Sequence, residues 1–313
     1  MTEKKMLRTA FGEALVELGS QFPNLVVLDA DISSSLKTGL FAKTFPQRHI
    51  NFGVAEQNML MSAAGLATTG LIPLACTYAT FASMRACEQI RSMICYPKLN
   101  VKIIATHGGL EVGWDGPTHQ ATEDIAMMRA IPNMTVLVPA DATSVKPLLE
   151  QAIELEGPVY FRMGRNPVPV VYKPSQVFNL GKAILLQEGN DVLLTASGIM
   201  LSTALQAADQ LAKDGISCAV LDVHTIKPLD KPTLLKAAEQ VGLVVTLEDH
   251  NIIGGLGGAV AELLSQYHPK ALIRIGVQDC FAESGDPLEL FKKYGMDSDA
   301  VVETVRNYFK KGM

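Results

Sequence analysis

Val101-Lys-Ile-Ile-Ala-Thr-His-Gly-Gly-Leu-Glu-Val-Gly-Trp-Asp-Gly-Pro-Thr-His-Gln120 reads as a strand that runs out into a glycine loop. Residues 101–106 are nearly continuously apolar, the pattern of a parallel strand covered on both faces. Beyond Thr106 the glycines carry His107, Asp115 and His119 before helical patterning resumes. Glycine lets backbone lie close to a ligand, and Pro117 stiffens the loop and removes one donor. In open α/β sheets, ligands gather at the carboxyl ends of strands, where this loop lies. Two imidazoles and a carboxylate there suit proton handling and hydroxyl recognition. A solvated loop with incidental histidines is the plainer alternative.

The flanking chain repeats the strand-to-helix alternation. A helix is expected over residues 4–20, with Leu7, Phe11, Ala14, Leu15 and Leu18 on one face and Arg8 near its start. The strand Asn24–Leu28 delivers Asp29-Ala-Asp-Ile-Ser-Ser-Ser35, a cluster suited equally to helix capping and to a ligand. A short strand near residues 48–52 precedes Gly53-Val-Ala-Glu-Gln-Asn-Met59 and a helix of small residues. Glu56 stands at that helix's amino end, where the dipole favours a carboxylate. Tyr78 and Phe81 follow the next strand, either as core packing or as a platform for a flat ring. A helix is expected over 82–95, with Arg85, Glu88 and Arg91 as its polar face. The strand ending at Arg162 leads to Asn166-Pro-Val-Pro-Val-Val-Tyr-Lys-Pro174, whose three prolines prescribe an extended linker. Strands and helices then alternate again to the end, so the pattern predicts two doubly wound parallel sheets. The glycine run after Glu248 is not a dinucleotide fingerprint, and reads as a close strand–helix turn.

The whole-chain numbers exclude some classes. A chain of 313 residues that is 48% hydrophobic can bury a sizeable core in two domains. Its formal charge of −5, with basic residues dispersed, offers no nucleic-acid surface. No apolar run approaches the roughly 20 residues that span a bilayer, and residues 1–8 hold no apolar signal region. The five cysteines show no CxxC spacing, as expected of buried thiols in a reducing cytoplasm.

Asp29-Ala-Asp31, Ala55-Glu-Gln57, Asp115-Gly-Pro-Thr-His-Gln120 and Glu248-Asp-His250 with Gly254-Gly-Leu-Gly257 follow one another along the chain. In that order they resemble transketolase, across essentially the whole chain but only the carboxyl-terminal half of a full-length enzyme. The hexapeptide is the specific signal, shared mainly with 1-deoxyxylulose-5-phosphate synthase. The resemblance implies an α/β fold of two doubly wound domains, a pyrimidine-binding (transketolase central) domain over 1–175 and a transketolase C-terminal domain over 176–313. It implies thiamine diphosphate as cofactor and transfer of a two-carbon ketol unit from a ketose phosphate to an aldose. Glu56 then resembles the carboxylate that bonds the aminopyrimidine, Phe81 the ring stacked on it, Tyr78 a second wall, and Asp31 an aspartate near the thiazolium. Asp115 resembles a reader of a sugar hydroxyl and His119 the group near the reacting hydroxyl. His107, Arg8, Ser35 and Arg162 match sugar-phosphate positions, with Arg165 only three residues beyond the last. Glu56, His119 and His107 are the expected catalytic set.

Thiamine enzymes hold the diphosphate and Mg²⁺ through a Gly-Asp-Gly segment, and none occurs here. The resemblance therefore implies the C-terminal subunit of a split transketolase, an N-terminal partner carrying the Mg²⁺ ligands, an α2β2 heterotetramer and no metal ligands on this chain. A synthase-like subunit, a 2-oxoacid dehydrogenase β-like subunit and a degenerate assembly subunit are the alternatives. On the leading reading the purified chain alone shows no ketol transfer, and co-expression with a Gly-Asp-Gly partner restores it. Xylulose 5-phosphate turnover with ribose 5-phosphate by the lone chain would count against the split.

Overall fold

The computed structural model describes residues 3–311; the chain ends of the two expected domains, residues 1–2 and 312–313, lie outside the described residues. The first half runs β1 (Lys4–Met6), α1 (Leu7–Gln21), β2 (Leu25–Asp29), α2 (Ser33–Leu36), α3 (Gly39–Thr44), β3 (His49–Asn51), α4 (Glu56–Ala67) and β4 (Ile72–Tyr78). It continues with β5 (Lys102–Thr106), α5 (Asp124–Ala130), β6 (Thr135–Leu137), α6 (Ala142–Glu154), β7 (Val159–Arg162) and β8 (Pro167–Pro169). The second half holds β9 (Ile184–Gln187), β10 (Val192–Ala196), α7 (Met200–Lys213), β11 (Cys218–Asp222), β12 (Thr225–Lys227) and α8 (Lys231–Glu239). It ends with β13 (Leu243–Asn251), α9 (Leu256–Tyr267), β14 (Ala271–Val277), α10 (Pro287–Lys293) and α11 (Ser298–Lys311). No helix among the described residues is long and apolar enough to cross a membrane.

The continuous apolar strands are explained by cover on both faces. In β5, Ile104 packs with the α1 and α6 side, including Phe11, Leu15 and Leu148. Its neighbours Ile103 and Ala105 face the other way, toward Met59 and Leu60 of α4 and Ile125 of α5. The first sheet has the order β12-β6-β7-β5-β4-β2-β3, and the second β14-β13-β10-β11-β9. Each is parallel except at one edge, where β12 runs antiparallel to β6 and β9 antiparallel to β11. The expectation of wholly parallel sheets is corrected at those two edges. Because β12 comes from the second half, it stitches that half onto the first sheet, with Val138 N–H donating to the His224 carbonyl at 2.8 Å.

Two local departures and one expected turn shape the ends of these elements. The helix expected from residue 4 begins at Leu7, because Lys4–Met6 pairs antiparallel with Pro167–Pro169. Residues 81–85 and 89–95 wind as π-helix rather than α-helix, with Ala86 N–H reaching back to the Phe81 carbonyl and Tyr96 N–H to that of Arg91. Such wide turns are rare and gather at functional sites. The glycine run after Glu248 is the expected close turn: Glu248 accepts from the N–H groups of Leu256 (2.7 Å) and Gly257 (2.8 Å) at the start of α9.

Asp141 ties the linker to this frame. One carboxylate oxygen caps α6 through Ser144 N–H at 3.0 Å, and the other accepts from Val171 (2.8 Å) and Tyr172 (2.9 Å) in the proline-rich segment. Asp141→Ala removes a cap and strands two amides, a loss of about 2–4 kcal/mol. Denaturant unfolding measures it; a change below about 0.5 kcal/mol would show that the linker is not held this way.

Candidate active site

The carboxyl ends of β2, β4 and β5 bring the expected residues together. Asp29, buried at the end of β2, accepts from Ile32 N–H (2.6 Å) and the Thr38 hydroxyl (2.5 Å), which folds the 29–38 loop over the strand. Burial opposes its ionisation, but the nearby His49 ring, 3.9 Å away, and the bonds from Thr38 and Ile32 outweigh that and hold its pKa below the ordinary value. Two residues on, Asp31 is exposed at φ +63° and exchanges hydrogen bonds with Asn51, at 3.2 Å and 3.0 Å. A left-handed non-glycine residue is tolerated where the surroundings impose it, most often at functional sites.

Around Tyr78 the other groups form a continuous row. Its hydroxyl lies 3.1 Å from the Ser35 hydroxyl, and Arg8 donates to the Ser35 carbonyl at 3.0 Å. The ring sits 4.3 Å from that of His107, 5.9 Å from His119 and 6.0 Å from Phe81. Phe81 meets His119 edge-on at 5.3 Å. Arg85 lies over the Phe81 ring at 4.4 Å and donates to Glu56 Oε2 at 2.8 Å. Glu56 is buried at the amino end of α4, yet borders a surface hollow of ≈340 Å³ formed by residues 54–58 and Arg85.

His107 is electrostatically distinctive. It is buried at φ +59°, beside the Thr106 hydroxyl at 3.2 Å. Burial first, then the cations of Arg165 and Arg8, push its pKa down to about 3, against the pull of Asp115. It is therefore a neutral imidazole across the physiological range, able to donate at one nitrogen and accept at the other. Asp115 is exposed at the loop tip and accepts from Arg165 Nη1 at 2.9 Å.

Arg162 is not part of this row, which corrects its expected place. It is 5% exposed and held beneath the loop through Nε and Nη2. Its Nε donates to Asp124 Oδ2 at 3.0 Å, and Nη2 to the carbonyls of Ala121 (3.2 Å) and Asp249 (2.8 Å). The arginine that reaches the mouth is Arg165, one short turn later. The sequence marked Arg85 only as part of a polar helix face and Arg165 only as a neighbour of Arg162, because their partners Glu56 and Asp115 lie 29 and 50 residues earlier. Among the described residues no three His, Cys, Asp or Glu side chains gather as a metal site.

Two family matches now cover nearly the whole chain: the transketolase pyrimidine binding domain over residues 3–170 and the transketolase C-terminal domain over 181–301. The chain belongs to the transketolase family. A solved structure titled a split gene transketolase, inactive beta4 tetramer, superposes with TM-score 0.89 at 49% identity, covering 97% of this chain and 98% of that one. The 6-deoxy-6-sulfo-D-fructose transketolase subunit SqwH of a Clostridium species is 41% identical, over 96% of this chain and 93% of its own length. A 1-deoxy-D-xylulose-5-phosphate synthase of Caldanaerobacter subterraneus is 38% identical, and this chain spans 48% of it. The transketolase match at near-complete length in both directions is to split subunits, so the chain has the organisation of one.

The two arginines separate in their consequences. Arg162→Met leaves Asp124 buried without its counter-charge, and unfolding should show a loss of about 3–5 kcal/mol. Arg165→Met breaks a half-exposed pair and should cost no more than about 1 kcal/mol. Equal losses would contradict the placement of Arg162 as the structural member.

Proposed function

We propose that this chain is the pyrimidine-binding half of a two-chain transketolase, working with thiamine diphosphate and Mg²⁺ on sugar phosphates. The observation that carries the reading is the unbroken row from Glu56 through Arg85, Phe81, His119, Tyr78 and His107 to Ser35 and Arg8. A buried carboxylate bordering an open hollow, with a half-buried aromatic ring along the row, suits an aminopyrimidine, which needs one acceptor and one flat wall. The Mg²⁺ ligands and the diphosphate cradle belong to an N-terminal partner with the Gly-Asp-Gly segment, in an α2β2 assembly. The two domains divide at residue 175, just after the linker held by Asp141.

When bound, thiamine diphosphate supplies the nucleophilic carbon that takes up the two-carbon unit. Glu56 would bond the pyrimidine ring nitrogen through Oε1, which carries no hydrogen bond among the described residues while Arg85 occupies Oε2. Phe81 and Tyr78 fix the ring's plane and keep water from that face. Asp31 borders the cofactor from the β2 loop. His119 stands over Phe81 and hands protons to and from the sugar hydroxyl that becomes a carbonyl. Asp115 accepts from a neighbouring hydroxyl. Arg8, the Ser35 hydroxyl and neutral His107 receive the sugar's phosphate, with Arg165 taking the place first expected of Arg162. Arginine forks match phosphate oxygens in pairs, so the two guanidinium groups discriminate for a terminal anion.

The complex with its partner should turn over xylulose 5-phosphate and ribose 5-phosphate only with thiamine diphosphate and Mg²⁺ present. Glu56→Gln should lower kcat by about 10³-fold, the scale of a lost proton-transfer group, with unchanged thermal unfolding. Pyruvate decarboxylation in place of ketol transfer would favour the synthase alternative. Full activity in Glu56→Gln would remove the assignment.

A further inference from the structure

The loop that carries Asp115 is gripped from below by two carboxylates with no part in the chemistry above. Asp249, from β13 in the C-terminal half, accepts at Oδ1 from Leu110 N–H (2.7 Å) and at Oδ2 from Glu111 N–H (3.3 Å). Glu111, 3% exposed, accepts at Oε2 from Arg165 N–H (2.6 Å) and at Oε1 from Asn166 N–H. The Glu111 carbonyl accepts from the Asn166 side chain at 2.7 Å. The turn so held points Arg165 Nη1 at both Val112 O (3.1 Å) and Asp115 Oδ1 (2.9 Å). Room for the grip comes from missing side chains. A Cβ at Gly109 would lie 2.2 Å from Asp249 Oδ2, and one at Gly164 would lie 2.4 Å from Glu111 Oε2.

We propose that Glu111, itself seated by Asp249, is the positioning residue that sets Arg165 against Asp115 and so fixes the substrate-facing wall. The proposal rests on the reading of that wall as a sugar-phosphate site. It gives the C-terminal half a direct influence on the substrate, although that half adds no side chain to the row.

The grip depends on ionisation. Burial pushes the Glu111 carboxyl up to about 7; the Arg165 and Asn166 amides pull it down, Asp249 raises it and Arg162 lowers it. Glu111 also borders a cavity of ≈670 Å³ whose charged lining is Lys4, Arg165, Asp286, Lys292 and Asp297. Above pH 7 both oxygens accept; below it a proton occupies one, and an amide of the turn loses its partner. Stability runs the opposite way. The folded chain holds this proton more tightly than the unfolded chain, so Glu111 favours folding most in acid and loses that as pH rises through 7. The grip is firmest where its cost to stability is greatest, as expected of a carboxylate kept for positioning.

Glu111→Gln tests this, since a glutamine offers one acceptor oxygen to two amides. In the complex with the partner, KM for the sugar phosphate should rise about ten-fold, with kcat within about two-fold and thiamine diphosphate affinity unchanged. Adding Arg165→Met to Glu111→Gln should cost no more than Arg165→Met alone, because the effect passes through Arg165. Trp114, the chain's single tryptophan, adjoins Asp115 and reports on the loop without activity. Burial raises Asp249 itself to about 6, so the Trp114 fluorescence of the full chain should titrate near pH 7 from Glu111, lose that component in Glu111→Gln while keeping any near pH 6, and shift to lower pH in Asp249→Asn. An unchanged KM, a parallel fall in cofactor affinity, or a transition near pH 7 that survives Glu111→Gln would overturn the proposal. If the wild-type complex transfers no ketol unit at all, the functional reading fails instead, and the Trp114 titration still decides the positioning role.

Discussion

The ion pair between Arg162 and Asp124 is the constraint from which the site is built. Both side chains are buried, and a buried charge is tolerated only when it is paired and its remaining donors are satisfied. The satisfaction here is tripartite. Asp124 comes from the start of α5, the Ala121 carbonyl from the end of the glycine loop, and the Asp249 carbonyl from the second sheet. One guanidinium thus fastens the loop, the helix after it and the other half of the chain at a single point. Gly108 has no side chain because the guanidinium fills that space; a Cβ there would lie 2.3 Å from Arg162 Nε. The glycines first read as giving a ligand access serve this underside as much as the upper face.

Much of this was legible in the sequence, for a physical reason. Strands covered on both faces are apolar throughout, so the residue that ends each run marks a carboxyl end, and Asp29, Tyr78 and His107 were placed by that rule. What was not legible depends on distant partners. β12 is three residues long and carries no periodicity; it is a strand only because β6 has a free edge. The π-turns of 81–95 share the composition of an ordinary helix, and the wider winding shows only in the Phe81–Ala86 and Arg91–Tyr96 bonds. Arg162 and Arg165 are near-identical signals three residues apart. Which is buried is decided by Asp124 and Asp249, and no reading of residues 158–166 contains that information.

The electrostatics of the row follow from the same arrangement. With Arg162 paired underneath, burial above all, and after it the cations of Arg165 and Arg8, keep the His107 ring uncharged. Their field is then available to an anion at the mouth rather than spent on an imidazolium. A protonated His107 would add a third positive charge at the cost of burying it; a neutral one contributes a directed donor or acceptor instead. If, as proposed, two arginines hold a doubly charged phosphate there, direction adds selectivity where further charge would add little.

Glu56 closes the argument from the opposite end of the row. Buried carboxylates require compensation, and Arg85 supplies it from a π-turn that also lays the guanidinium across Phe81. In the chain as it stands, that one arginine touches both the carboxylate and the ring to which a pyrimidine would bind. A pyrimidine stacked on Phe81 and bonded to Glu56 must share or displace these contacts, so its affinity is set against an interaction already made. The exchange becomes favourable when a second surface adds bonds to the remainder of the cofactor. A half-site with its own internal partner for Glu56 leaves no buried charge uncompensated without ligand, and on the proposed reading it is completed by a surface that holds the diphosphate.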